Sequence, residues 1–187
     1  MKIGRIIEKN IAGKKVLIFF LFAMAVYLTM LLGTIPYIMS FSGGLNILDM
    51  MPAGYDAAYV NQLFTQLGDT GRNAYLYIQI PLDLVYPALY GIGFSLVLAW
   101  FLNRLGKLGG NLVYLCLLPV VASIFDYSEN LGIIAMLQTW PSIPATLVKV
   151  TNLFSILKSS ITSIYFIILI IVIVIFGVKM ITKRTKN

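Results

Sequence analysis

Asp83, Asp126 and Glu129 are carboxylates set in stretches that are otherwise apolar, and Asn130 follows the last of them. A carboxylate in hydrocarbon costs about 3 kcal/mol even on insertion-based scales, so it needs partners and marks a working site. Gln79, Asp83, Tyr86 and Tyr90 are spaced to share one face of a helix, which Tyr75 extends and Arg72 joins if the helix starts early. Asp126, Glu129 and Asn130 share a face in the same way, flanked by Ser123 and Tyr127. Buried acids of this kind serve as charge partners for a cation, as proton carriers, or as a general acid and base. Tyr86 and Tyr90 would add hydroxyl or cation–π contacts, and Asn130 would orient an acid.

Two prolines sharpen the pattern. Pro87 lies four residues after Asp83, and proline has no N–H, so the backbone carbonyl of Asp83 loses its helical partner. Pro81 does the same to the carbonyl of Tyr77. A freed carbonyl beside a carboxylate is how broken membrane helices hold protons or cations; the alternative is a kink healed by a neighbouring hydroxyl or water. Lys158, with Asn152, Ser155, Ser159 and Thr162 around it, supplies a candidate counter-charge. One ammonium cannot neutralise three carboxylates, so at least one acid is protonated or bound to something else.

Other chemistries are excluded by composition. There is no histidine, hence no histidine haem ligand, Ser-His-Asp triad or His-containing zinc site. The single Cys116 cannot form an internal disulfide. Any metal would be a hard cation on the oxygens of Asp83, Asp126 and Glu129. No cofactor is expected.

The elements that carry these residues are apolar spans. Of 187 residues, 59% are hydrophobic and 11% charged, with a mean hydropathy of +0.90; a soluble domain carries roughly 25% charged residues. Apolar runs cover about 16–38, 75–102, 112–137 and 146–178, each at or beyond the ~20 residues that cross a bilayer. The first is too long for a signal-peptide core and no small-residue cleavage site follows it, so it reads as a retained span. The fold class is therefore all-α: a polytopic membrane protein, one four-transmembrane-helix bundle without a separate soluble domain. Among the small residues of these spans, Ala25, Gly33, Gly91, Gly93 and Ser95 read as helix-contact points.

Charge sets the orientation. Lys2, Arg5, Lys9, Lys14 and Lys15 precede the first run, Arg104 and Lys107 sit between the second and third, and Lys179, Lys183, Arg184 and Lys186 follow the last. The 39–74 segment holds only Arg72 against Asp49, Asp56 and Asp69. The positive-inside rule then puts both termini in the cytoplasm and 39–74 outside, in a plasma-membrane protein. The formal net charge of +7 is loaded at the chain ends, which suits an anionic bilayer face and not a nucleic acid. Within the outer loop, Asp56 is placed to cap a short amphipathic helix through Leu67, with Ala57, Val60, Leu63, Phe64 and Leu67 on one face and Gly68 and Gly71 ending it. At ~1.5 Å per residue, Asp83 and Glu129 lie roughly 12 Å, and Asp126 roughly 16 Å, from the outer ends of antiparallel helices. All three reach one level in the outer half.

Residues 67–75, 83–90 and 126–130 together form a loose pattern, G-x-x-G-R-x-x-Y, D-x-x-x-P-x-x-Y and D-x-x-E-N. It resembles that of small four-span prokaryotic membrane proteins over about 54–137, and the resemblance implies no activity. The expected function is a buried acidic site that binds or moves a cation, a proton or a small amphiphile. The bilayer is its partner, and a homo-oligomer would supply the helices that four spans lack for transport. An intramembrane enzyme acting on a lipid or isoprenoid, with Lys158 or Arg72 bridging a phosphate, is one alternative. A structural or accessory subunit glued by polar residues is the other.

Overall fold

The computed structural model describes residues 7–184. Of the basic residues used for orientation, Lys2, Arg5 and Lys186 lie outside the described residues, as do the side chains of Lys183 and Arg184. Every regular element among the described residues is helical, and four helices are long and apolar enough to cross a membrane. We label the helices α1 (Gly13–Met39), α2 (Ala57–Ala74), α3 (Ile80–Arg104), α4 (Leu118–Thr139) and α5 (Ala145–Arg184).

Two bounds differ from the sequence reading. The Asp56 carboxylate caps α2 as expected, accepting the Tyr59 N–H at 2.8 Å, and Val60, Leu63, Phe64 and Leu67 are buried. Gly68 breaks the helix in the left-handed region (φ 58°), which only glycine enters freely. The chain does not become loop there, because a helical stretch restarts at once and runs through Gly71 into α3. Gly71 has a packing role: a Cβ there would lie 2.9 Å from the Phe41 side chain. At the other end, α5 spans 40 residues, about 60 Å and twice the hydrocarbon thickness. Its far portion passes the 103–111 connection, where the Lys179 ammonium donates to the Leu105 carbonyl at 3.3 Å.

Prolines shape the two helices that meet beside the site. A proline ring clashes with the carbonyl four residues back. For Pro36 and Pro81 that carbonyl lies inside a π-helical turn, Met30–Thr34 and Tyr75–Gln79 respectively, whose wider winding takes up the misfit. The Tyr77 carbonyl therefore sits within a π turn, not at a simple break. The two turns face one another, and the Thr34 hydroxyl donates to the Gln79 side-chain oxygen.

In packing order, α1 lies along α3, α3 along α4, and α4 along α5. The contact of α5 with α3 is lighter, and α1 and α5 hardly meet. Small residues set the close approaches. A Cβ on Gly91 would sit 2.7 Å from the Ser123 hydroxyl, one on Gly93 would sit 3.2 Å from the Phe19 carbonyl, and one on Gly132 would overlap Thr151. Gly33 and Ala25 instead face outward. The apolar core forms two masses. One, around Phe64, Tyr75, Ile133 and Met136, lies at the end bearing the 39–74 segment. The other, around Tyr90, Phe94, Leu98, Cys116 and Tyr165, lies at the end bearing Arg104. Between them runs a buried polar layer that includes Gln79, Asp83, Ser123, Asp126, Glu129, Asn130, Thr151 and Ser155.

Candidate functional site

Lys158 of α5 organises one half of this layer. Its ammonium lies 3.2 Å from the Asp126 carboxylate and also pairs with Glu129, one turn further along α4. Glu129 is fully buried, and Asp126 nearly so. Two charges removed from water are stable together only when their geometry and hydrogen bonding offset lost solvation, and removal of one partner strands the other. The expected Lys158–carboxylate pair is present, and it takes up two acids.

Asp83 is held differently. Pro87 removes the N–H that its backbone carbonyl would accept, and the Asn130 side-chain amide donates to that carbonyl instead, at 2.8 Å. Asn130 thus orients backbone and not a carboxyl group, and the freed carbonyl is healed by α4. A second cross-link follows one turn on, where the Ser123 hydroxyl lies 2.6 Å from the Pro87 carbonyl and 2.8 Å from that of Pro119. These bonds hold α3 against α4 around Pro87 but leave the Asp83 carboxyl group alone. It is 4% exposed, one of its oxygens has no hydrogen-bond partner, and it takes part in no ion pair among the described residues.

A cavity of about 460 Å³ opens beside it, lined by Asp83, Asp126 and Lys158 together with Gln79, Tyr86, Tyr90, Ser159 and Thr162. Its lining includes one acid that the sequence reading used only as a loop charge. Asp49, in the 3₁₀ turn Leu48–Met50, comes down from the 39–74 segment onto the cavity, and the Tyr75 hydroxyl donates to it at 2.8 Å. A sequence signal existed: Asp49 is flanked by Ile47, Leu48, Met50 and Met51, the same acid-in-apolar-run pattern as Asp83. The segment is pinned to α5 by Asn152, whose side-chain oxygen accepts the Tyr55 N–H at 2.7 Å, and is closed on itself by the Tyr59 hydroxyl donating to the Asn46 carbonyl at 2.8 Å. Burial, and after it the Glu129 and Asp49 carboxylates, hold the Tyr55 hydroxyl above its ordinary pKa, so it remains a neutral donor.

The cavity therefore gathers Gln79, Asp83, Tyr86, Tyr90, Asp126 and Lys158. Glu129 stands behind Lys158, and Asn130 behind the Asp83 backbone. Arg72 does not join. It is bound to the Asp69 carboxylate and the Phe64 carbonyl, both at 2.5 Å, and lies over the Trp140 ring at 5.3 Å. These contacts hold Arg72, and Lys158 is doubly paired, so neither is free to bridge a phosphate. Among the described residues no group of three or more His, Cys, Asp or Glu side chains is placed to hold a metal ion, so Asp83, Asp126 and Glu129 do not form a ligand set. The cavity offers a carboxyl group with an unpartnered oxygen, a second from Asp49, the unpartnered Gln79 amide nitrogen, and tyrosine rings. Tyr27, Tyr86 and Tyr90 make a continuous aromatic row, with successive centroids 5.8 Å apart. Comparison with known protein families, curated proteins and solved structures finds no match to this chain.

Proposed function

We propose that the chain is a four-span protein of the cytoplasmic membrane, with both termini inside, that binds an organic cation in the outer half of its bundle. Asp83 is the counter-ion. The observation that carries this reading is the Asp83 carboxyl group: buried, without an ion pair, and lining a cavity faced with tyrosine rings. A buried carboxylate without a cation is costly, and an amine or quaternary ammonium would neutralise it while the tyrosine faces supply cation–π contact. The cavity volume lies within the ~300–1,000 Å³ typical of small-molecule sites. Asp49 adds negative potential from above, and Asp126 with Lys158 forms a polar wall whose charge is already partly offset by pairing.

Binding of benzyltrimethylammonium to the purified protein in nanodiscs tests this reading. Saturable binding should disappear in Asp83→Asn while the helical spectrum and melting temperature are kept. Equal binding by both proteins would sink it.

A further inference from the structure

The seam that α1 and α5 leave unclosed is itself a long groove floored by α3, with a volume of about 770 Å³. It starts beside Gly13, Trp100 and Ile173 and ends at Tyr27, Tyr86 and Thr162, without one charged residue in its lining. From Gly13 to Tyr27 it follows α1 for about 21 Å at 1.5 Å per residue. That exceeds the ~15 Å of hydrocarbon in one bilayer leaflet. Its upper end is shared: Tyr27, Tyr86, Tyr90 and Thr162 line both the groove and the acidic cavity. The two spaces meet at these four residues, with carboxyl groups on one side and hydrocarbon and aromatic surface on the other.

We propose that the ligand is a cationic amphiphile, its ammonium at Asp83 and a single hydrocarbon tail laid along the α1–α5 groove. This rests on the organic-cation reading and adds the substrate class. Charge complementarity chooses the occupant. A phospholipid would bring its phosphate to Asp49 and Asp83, whereas an amine-headed chain matches both ends. The groove is apolar on three helices, with Phe20, Met24, Phe94, Val97 and Phe166 along its middle. Each methylene buried there contributes roughly fourfold in affinity relative to water.

The test measures n-alkyltrimethylammonium ions, butyl to tetradecyl, and benzyltrimethylammonium on the protein in nanodiscs, with affinities referred to the lipid-phase concentration. Val97→Phe, and separately Met24→Phe, place bulk in the groove below the shared tyrosines and away from Asp83. The expected result is an affinity that rises with chain length in the unaltered protein. In both groove variants it falls about tenfold or more for the tetradecyl ion, while benzyltrimethylammonium binds within about twofold of the original. Three outcomes overturn the inference: no gain with chain length, a gain that both variants leave untouched, or binding of the tetradecyl ion that Asp83→Asn leaves unchanged. If benzyltrimethylammonium binding holds in those cases, only the tail assignment falls. Absent or Asp83-independent benzyltrimethylammonium binding removes the organic-cation reading, and the tail assignment with it.

Discussion

The Asn130 side-chain amide donates to the backbone carbonyl of Asp83 at 2.8 Å, replacing the N–H that Pro87 cannot supply. The pair joins α3 to α4 at the level of the acidic site, so the chemistry of one residue depends on the backbone defect of another. Asn130→Ala should leave a buried carbonyl unsatisfied and cost ~1–3 kcal/mol. Pro87→Ala restores the missing N–H, so the double variant should recover part of that loss, with a coupling of ~0.5–3 kcal/mol. Reversible unfolding in mixed micelles would measure it; strictly additive losses would show that the bond does not perform this repair.

Lys158 is the cation shared by Asp126 and Glu129. Lys158→Met should destabilise the fold by ~3–5 kcal/mol, because two buried carboxyl groups lose their partner together. Adding Glu129→Gln to that variant should recover some of the loss, since a neutral amide is cheaper to bury than an unpaired charge. Thermal unfolding of the single and double variants decides this.

Gly132 and Gly33 are both mid-helix glycines with opposite surroundings. Gly132→Ala drives a methyl group into Thr151 at the α4–α5 contact and should cost ~1–3 kcal/mol. Gly33→Ala meets nothing within 4 Å and should be neutral or slightly stabilising. Comparable losses at both positions would contradict the helix packing described above.

Asp49→Asn should weaken benzyltrimethylammonium binding several-fold and leave the melting temperature within a few degrees. Its carboxyl group lines the cavity from a turn of the 39–74 segment, where an amide can still accept from Tyr75. Since Asp83 remains, binding should be weakened and not abolished. Binding titrations at two ionic strengths would show it.

The helical spans, the Asp56 cap and the shared faces of Asp83 and Asp126 were legible because they follow from local apolar runs and helical periodicity. Lys158 was legible for a related reason: an ammonium in an apolar run needs an acid. The fate of the Asp83 carbonyl was not, since one sequence admits either a ligand or a side chain as its new partner. Only the packing of α4 chooses Asn130. Arg72 was misplaced because the π turn Tyr75–Gln79 lies between it and Asp83 and shifts the helical register, which periodicity alone cannot see. Asp49 was overlooked because a loop acid was counted for topology and not for where its loop folds. The same limit hid the groove, which exists through a helix contact that is not made.

The roof over the acids is held by a few polar ties and by buried side chains, Ile47 and Leu48 among them. Tyr55 N–H to Asn152 and Tyr75 hydroxyl to Asp49 are its polar ties to the spans. Lifting it also exposes Ile47 and Leu48, both fully buried, so the raised state is rarer than the ~1 kcal/mol net of each tie alone would make it. Amide exchange at Tyr55 would report that population directly. Entry of the proposed ligand by way of the roof would therefore wait on a rare opening. The flank between α1 and α5 needs no hydrogen bond broken, so a ligand of the proposed kind would come and go there at a rate set by diffusion within the leaflet.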